Sequence, residues 1–268
     1  MEGNEQAGSG VGSWRVAAAS AQGVSHVRSG QPCQDAFAWA ELEAGFLALA
    51  VADGAGSAAR SEIGAAVAVR EAIRAAGGAG RLRIAEEEPT RERLIAALAA
   101  ALTGVEDEGV AQDIPLQELA ATLIYVLATP EGVAVAQVGD GAVVAGDAEG
   151  NIFALTKPEN GEYANTTTFL TSQGAIEGAQ IVVHPHPVTH LAVFSDGLQR
   201  CALRMPDATP YAPFFAPLFR FVAAEADAAE ANAQLTAFLN SPRVLERTDD
   251  DITLILTALP SVAERNSP

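Results

Sequence analysis

Short apolar runs separated by turn residues dominate the chain. Such runs, bounded by Gly, Pro, Asn or Asp, are typical of buried β-strands. The predicted strands are residues 14–20, 36–39, 46–52, 121–127, 132–138, 142–145, 152–155, 181–184, 190–194 and 251–259. Because tight turn signals separate the four segments between residues 121 and 155, these segments are predicted to form an antiparallel meander.

Three segments are predicted to be helices. The predicted helices are residues 57–76, 91–103 and 211–239. In the second of them, Leu94, Leu98 and Leu102 recur on one side. Residues 79–89 are predicted to be a surface connection and 156–179 a long polar loop. Strand runs interrupted by helix blocks predict an α+β layered fold in which helices cover the sheets.

Composition and charge narrow the possible functions. The chain has 268 residues, 49% hydrophobic and 19% charged, which is typical of a globular protein. The net charge of −18 argues against a nucleic-acid or anionic membrane partner, since either needs a basic surface, and no apolar stretch has membrane-spanning length. We expect a flexible tail over residues 1–13, one domain over 14–259 and a tail over 260–268. Cys33 and Cys201 form no disulfide or zinc pattern, so the expected location is a reducing cytoplasm.

Aspartates stand at the ends of five predicted strands. They are Asp35, Asp53, Asp140, Asp196 and the run 249–251. Each has a simpler explanation, because Asp-Gly is a common turn dipeptide and an acidic run is commonly solvated. If the strand ends converge, however, the carboxylates would repel one another unless a cation lies between them. Mg²⁺ and Mn²⁺ prefer such oxygen ligands, whereas zinc fits poorly with so few His and Cys residues.

Six short motifs occur in an order that resembles a known family. They are SHVRSGQPCQDAF, VADGAGS, ATLIYVL, VGDGAVV, FSDGL and TDDDITLI. Together they resemble the bacterial branch of the metal-dependent Ser/Thr protein phosphatases of type 2C, over about residues 14–259. The resemblance implies a sandwich of two antiparallel β-sheets flanked by helices, a four-layer αββα arrangement, with a two-metal centre at one end.

The resemblance also assigns candidate site residues. The implied metal ligands are Asp35, Asp53, the Gly54 carbonyl, Asp140, Asp196 and Asp250. Asp53, Asp196 and Asp250 are the implied catalytic residues; Asp53 bridges two metals and Asp140 serves a third, looser one. Gln34 and Asp251 are expected beside the ligands, with Asp251 in the place of the family's Asn.

The chain departs from the family pattern around this site. Gln34 replaces a Glu, which predicts weaker binding of the second metal, and Ala55 replaces a His. The phosphate-binding Arg of the family falls on Gly30, so His26 and Arg28 become the candidates for phosphate binding. A structural role is the alternative for His26.

The implied function is hydrolysis of phosphoserine and phosphothreonine in proteins. Two or three Mn²⁺ or Mg²⁺ ions are expected at the site. A hydroxide that bridges two of these ions would attack the phosphorus. The expected partners are a phosphorylated protein substrate and an opposing Ser/Thr kinase, with no nucleic acid and no membrane. The alternatives are a catalytically weak phosphatase-like module that binds phosphoprotein for regulation, and a small-molecule phosphohydrolase.

Overall fold

Two antiparallel sheets, packed face to face, form the centre of the molecule, and helices cover both outer faces. The computed structural model describes residues 13–43, 45–77, 83–158 and 167–260. The arrangement is the predicted α+β sandwich with four layers, αββα.

Within the described residues, each main sheet has five strands. The first contains, in spatial order, β1 (Arg15–Ala21), β12 (Ile252–Ala258), β9 (His190–Phe194), β6 (Ala142–Gly146) and β7 (Ile152–Ala154). The second contains β2 (Ala36–Glu43), β3 (Phe46–Ala52), β4 (Leu123–Thr129), β5 (Gly132–Val138) and β8 (Gln180–His184). A small hairpin is formed by β10 (Leu203–Arg204) and β11 (Thr209–Pro210).

The described residues contain seven α-helices, and the longer ones cover the sheets. They are α1 (Val24–Ser29), α2 (Ser61–Ala76), α3 (Glu87–Gln112), α4 (Gln199–Ala202), α5 (Ala212–Ala224), α6 (Ala228–Leu239) and α7 (Pro242–Leu245). Single 3₁₀ turns occur at Leu116–Leu119 and Asp196–Leu198. The helices α2 and α3 pack on the second sheet, and α5 and α6 on the first.

Alternation of large and small side chains explains how β3 is buried on both faces. Leu47, Leu49 and Val51 enter the core between the sheets, whereas Ala48, Ala50 and Ala52 face the helix layer, where α2 packs on β3. Successive residues of a strand point to opposite faces, so the large side chains fill the inter-sheet space while the alanines let the helices approach closely. A shift of one residue would exchange the two faces, so the register of β3 is fixed, and with it the position of Asp53 directly after the strand.

The predicted meander is only partly correct. The strands β4 and β5 form a hairpin, and β6 pairs with β7, but β6 belongs to the other sheet, where it also pairs with β9. The free side of β5 is occupied by β8, which is distant in sequence. Local turn signals could not predict this crossing, because the partner of β5 is set by tertiary packing.

Helix boundaries also differ from those predicted. The helix α2 begins at Ser61 rather than at 57, and α3 is longer than residues 91–103 at both ends. The predicted helix 211–239 is two helices, because the Asp227 carboxylate accepts hydrogen bonds from the N–H groups of Ala229 (2.8 Å) and Glu230 (3.1 Å) and caps α6. The segment between the predicted strands 14–20 and 36–39 contains α1.

Parts of the predicted tails and loops lie outside the described residues. These parts are 1–12, 261–268, 159–166 within the long loop and 79–82 within the predicted surface connection. The last three residues of that connection, 87–89, belong to α3. The single domain over residues 14–259 stays a prediction. None of the described helices combines the length and apolar character needed to cross a membrane.

Candidate metal centre

Three carboxylates meet at one end of the sandwich. Asp53 directly follows β3, Asp140 lies in the crossing between β5 and β6, and Asp196 opens the 3₁₀ turn after β9. One oxygen of each lies within 4.8 Å of the others. The ends of these three strands therefore converge, which is the condition on which the metal hypothesis depended.

Hydrogen bonds from the neighbouring backbone and side chains hold two of these residues. The Asp53 N–H donates to Thr122 Oγ1 (2.9 Å), and the Thr122 N–H donates to the Asp53 carbonyl (2.8 Å). The Asp140 carboxylate accepts from Thr167 Oγ1 (2.8 Å), while its carbonyl accepts from Gln199 Nε2 (2.7 Å). The end of the long loop therefore borders the cluster, because Thr167 contacts Asp140 directly.

Asp35 is held separately, by a hydroxyl group of the other sheet. Ser195 Oγ donates to Asp35 Oδ2 (2.7 Å) and in turn accepts from the Thr253 N–H (2.9 Å). The other oxygen of Asp35 has no partner among the described residues. The same is true of Asp196 Oδ1 and Gln34 Oε1, and all three atoms are buried.

Burial and mutual repulsion disfavour ionisation of these carboxyl groups. Burial is the main cause that raises the pKa of Asp35 to about 7 and that of Asp196 to about 6. The pKa of Asp53 is raised well above its ordinary value by burial and then by the charges of Asp35 and Asp196. Burial also raises the pKa of Asp140.

These observations fit a hard divalent cation. Buried carboxylate oxygens without partners, on groups that resist ionisation, are unfavourable unless positive charge is supplied. The donor set consists of oxygens, which Mg²⁺ and Mn²⁺ prefer. The residues present are therefore chemically suited to the metals that the sequence predicted.

The acidic run before β12 divides into two roles. Asp251 is buried, and its oxygens accept from the Gly23 N–H (2.6 Å) and the Gln34 N–H (2.6 Å) and pair with His26 Nδ1 (2.8 Å). Asp250 is exposed, and its charge raises the pKa of Asp53 and Asp196, so it faces the cluster without belonging to the three-carboxylate group. Metal binding by Asp250 stays a prediction.

The two candidates for phosphate binding lie on α1. His26 is buried, and its Nδ1 bonds to the Asp251 carboxylate, which is a structural role. The other ring nitrogen, Nε2, is the atom that could contact a phosphate. Arg28 is exposed. Contact of either residue with phosphate stays a prediction.

Close packing explains the glycine after Asp53. A Cβ on Gly54 would lie 2.8 Å from the Gln34 carbonyl oxygen and 2.8 Å from Ser61 Oγ. Any side chain at position 54 would therefore push the segment around Gln34 away from α2. Donation of the Gly54 carbonyl to a metal stays a prediction.

Sequence reasoning missed several residues that hold the site. Thr122, Gln137, Thr167 and Ser195 all bond to a site residue or to the turn that carries one. Ser195 directly precedes Asp196 and could have been noticed. Thr167 carried no signal, since its contact is made across 27 positions of the chain.

Comparisons with known proteins agree on one family. The sequence profile of the family described as "Protein phosphatase 2C" matches residues 22–240. The chain is 36% identical over 250 residues to serine/threonine-protein phosphatase 3 of Escherichia coli (strain K12), which covers 91% of this chain and 98% of that protein.

Solved structures share the fold at low sequence identity. Serine/threonine phosphatase Stp1 from Staphylococcus aureus has a TM-score of 0.62 at 15% identity, with coverage of 97% of this chain and 100% of that one. The catalytic domain of the serine threonine protein phosphatase PstP, solved in complex with 2 manganese ions, has a TM-score of 0.55 at 17% identity, with coverage of 92% and 99%. At such identities the likeness concerns the fold alone.

Proposed function

Because this chain belongs to the protein phosphatase 2C family, we propose that it hydrolyses phosphoserine and phosphothreonine in proteins with divalent cations. The observation that carries the proposal is the convergence of Asp53, Asp140 and Asp196, whose carboxylate oxygens lie within 4.8 Å of one another. Unpaired buried oxygens on Asp35 and Asp196 add to it. Such a site is suited to holding cations rather than to packing.

Each carboxylate has a distinct place in the proposed centre. Asp53 lies close enough to Asp35 and Asp196 for the charges of both to raise its pKa, so its carboxylate would help to hold the cations together with these two groups. Ser195 keeps one Asp35 oxygen in place and leaves the other available. Divalent cations, when bound, lower the pKa of water and offset negative charge on a phosphoryl group. The carboxylates would hold those cations, whose positive charge favours the ionised form of each carboxyl group.

The two cysteines do not provide a nucleophile. Burial, followed by the charges of Asp251 and Asp35, raises the pKa of the Cys33 thiol to about 12. Burial also raises the pKa of Cys201. Since the thiolate is the reactive form, neither residue is suited to the chemistry of a cysteine phosphatase.

The number of ions, their remaining ligands and the phosphate contacts are part of the same proposal. We infer that two or three Mn²⁺ or Mg²⁺ ions bind, that Asp250 and the Gly54 carbonyl complete the ligands, and that Arg28 or His26 contacts phosphate. The structural relative PstP, which holds manganese, supports the choice of ion. A Ser/Thr kinase would oppose the enzyme, and two free thiols are compatible with a reducing cytoplasm.

The test is metal-dependent release of phosphate from a phosphothreonine peptide. Protein treated with EDTA should be inactive and should regain turnover with Mn²⁺ or Mg²⁺. A matched Asp53→Asn variant, which keeps the size of the side chain, is the control for contaminating phosphatase. Absence of metal-dependent turnover with either ion would overturn the proposal. Peptide binding without turnover would instead favour the regulatory module, and turnover of p-nitrophenyl phosphate alone would favour a small-molecule enzyme.

A further inference from the structure

Gln137 is a fully buried polar residue three positions before Asp140. Its amide nitrogen Nε2 lies 3.1 Å from the Gly139 carbonyl oxygen, 2.8 Å from that of Gly141 and 3.2 Å from that of Lys157. Two amide protons thus serve three carbonyl groups, two of which flank Asp140 in sequence. The mechanism proposed above does not use this residue.

Thr156 fixes which way the Gln137 amide points. Thr156 Oγ1 accepts from the Val143 N–H (3.0 Å) and lies 2.5 Å from Gln137 Oε1. Because the amide oxygen has no proton, the threonine hydroxyl must be the donor in the second bond. The amide oxygen therefore faces Thr156, and the NH₂ group is directed at the carbonyls around Asp140.

The turn needs such donors because it leaves one sheet for the other. The strand β5 ends at Val138 and β6 begins at Ala142, so the carbonyls between them are outside the ladders. Buried carbonyls without donors are costly. Glutamine amides donate to the carbonyls of all three turn residues. Gln137 donates to those of Gly139 and Gly141, and Gln199 donates to that of Asp140.

The backbone of the turn has little room to adjust on its own. Gly139 adopts a φ of +105°, and a Cβ there would lie 2.4 Å from Thr122 Cγ2. A Cβ on Gly141 would lie 2.6 Å from Ile124 Cδ1 and 2.6 Å from the Phe194 carbonyl oxygen. The glycines permit the path of the chain, and the Gln137 amide holds it in place.

We infer that Gln137 is a positioning residue for the metal centre, acting on Asp140 through the carbonyls on either side of it. The inference rests on the proposed function, in which Asp140 is a cation ligand. Groups that orient a metal ligand commonly change metal affinity by about 10- to 100-fold when they are removed. The role differs from simple packing because it depends on the donors and not on the volume of the side chain.

The experiment is calorimetric titration of Mn²⁺ into the metal-free full chain. Gln137→Met keeps the side-chain volume and removes the donors. Gln180→Met is the matched control, because Gln180 Nε2 also donates to the Lys157 carbonyl (2.8 Å) but makes no described bond to the turn. Asp140→Asn and the Gln137/Asp140 double variant complete the cycle, and thermal unfolding verifies that each variant is folded.

We expect Gln137→Met to weaken Mn²⁺ binding by about tenfold or more, and Gln180→Met to leave it within about twofold. The double variant should bind no more weakly than Asp140→Asn, because both changes act on one ligand. If Gln137→Met does not fold, Thr156→Val should weaken binding and Thr156→Ser should restore it.

Two results overturn the inference. One is wild-type affinity in Gln137→Met, or in Thr156→Val if that variant is the one measured. The other is an additive loss in the double variant, which would indicate a general effect on the fold. If the wild-type chain itself binds no Mn²⁺, the proposed function fails and this inference fails with it.

Discussion

Replacing Asp35 by Asn should stabilise the metal-free protein, and the gain should depend on pH. In the fold, burial raises the pKa of Asp35 from 3.8 to about 7. A carboxyl group with a raised pKa stabilises the fold fully below its unfolded pKa, and that contribution is lost as the pH rises through the folded value. Asn is neutral at every pH and should avoid this loss.

The magnitude follows from the two pKa values. Each pKa unit corresponds to about 1.4 kcal/mol. The raised pKa of Asp35 therefore lowers the free energy of unfolding by about 4 kcal/mol at pH 7.5, where the group is mostly ionised, and by about 2 kcal/mol at pH 5.0, where the fold keeps it protonated. The advantage of Asp35→Asn over the wild type should therefore grow by about 2 kcal/mol between these pH values. Asn can still accept the Ser195 hydroxyl proton, so the contact with Asp35 Oδ2 has a substitute.

The assay is urea unfolding of both proteins in EDTA at pH 5.0 and 7.5. Comparing the two proteins at each pH cancels the titrating groups that the charge of Asp35 does not affect. The pKa of Asp53, which that charge raises, is lower in the variant and adds to its advantage at pH 7.5. Asp207→Asn, at an exposed site between β10 and β11, is the control and should leave the difference near zero. In saturating Mn²⁺ at pH 7.5, the wild type should be more stable than Asp35→Asn, because the wild type binds the ion more tightly. An advantage that is equal at both pH values, or absent, would refute the electrostatic argument.

Three further substitutions test other parts of the site. Asp53→Asn should abolish phosphate release while the circular dichroism spectrum stays native, since only the bridging charge is lost; a fully active variant would exclude that role. His26→Ala should lower the free energy of unfolding by about 2 kcal/mol, because the buried Asp251 carboxylate loses a partner; unchanged urea unfolding would contradict this. Gln34→Glu should lower the Mn²⁺ concentration for half-maximal activity, with less effect on the maximal rate, because it adds a negative charge where Oε1 is now unpaired. An unchanged or higher Mn²⁺ requirement would place Gln34 outside the reach of the metal.

The sequence determined the layers and the acidic residues of the site. The apolar runs that form β3, β5 and β9 match the predicted bounds, because each is buried on both faces and its limits are set by turn residues. The Asp-Gly pairs that end or follow these strands were visible for the same reason. Ordered motifs then indicated the family, which the comparisons confirm.

Tertiary structure decided which strands pair and how each carboxylate is held. The change of sheet between β5 and β6 depends on β8, which pairs with β5 from a distant part of the chain. Asp250 and Asp251 are neighbours in an acidic run, yet one is exposed and the other is buried among partners from residues 23–34. Local sequence cannot separate them, because burial and hydrogen bonding depend on which distant segments pack against each side chain. Gln137 could not be identified from the sequence for the same reason, because its role depends on the carbonyls that the fold places beside its amide.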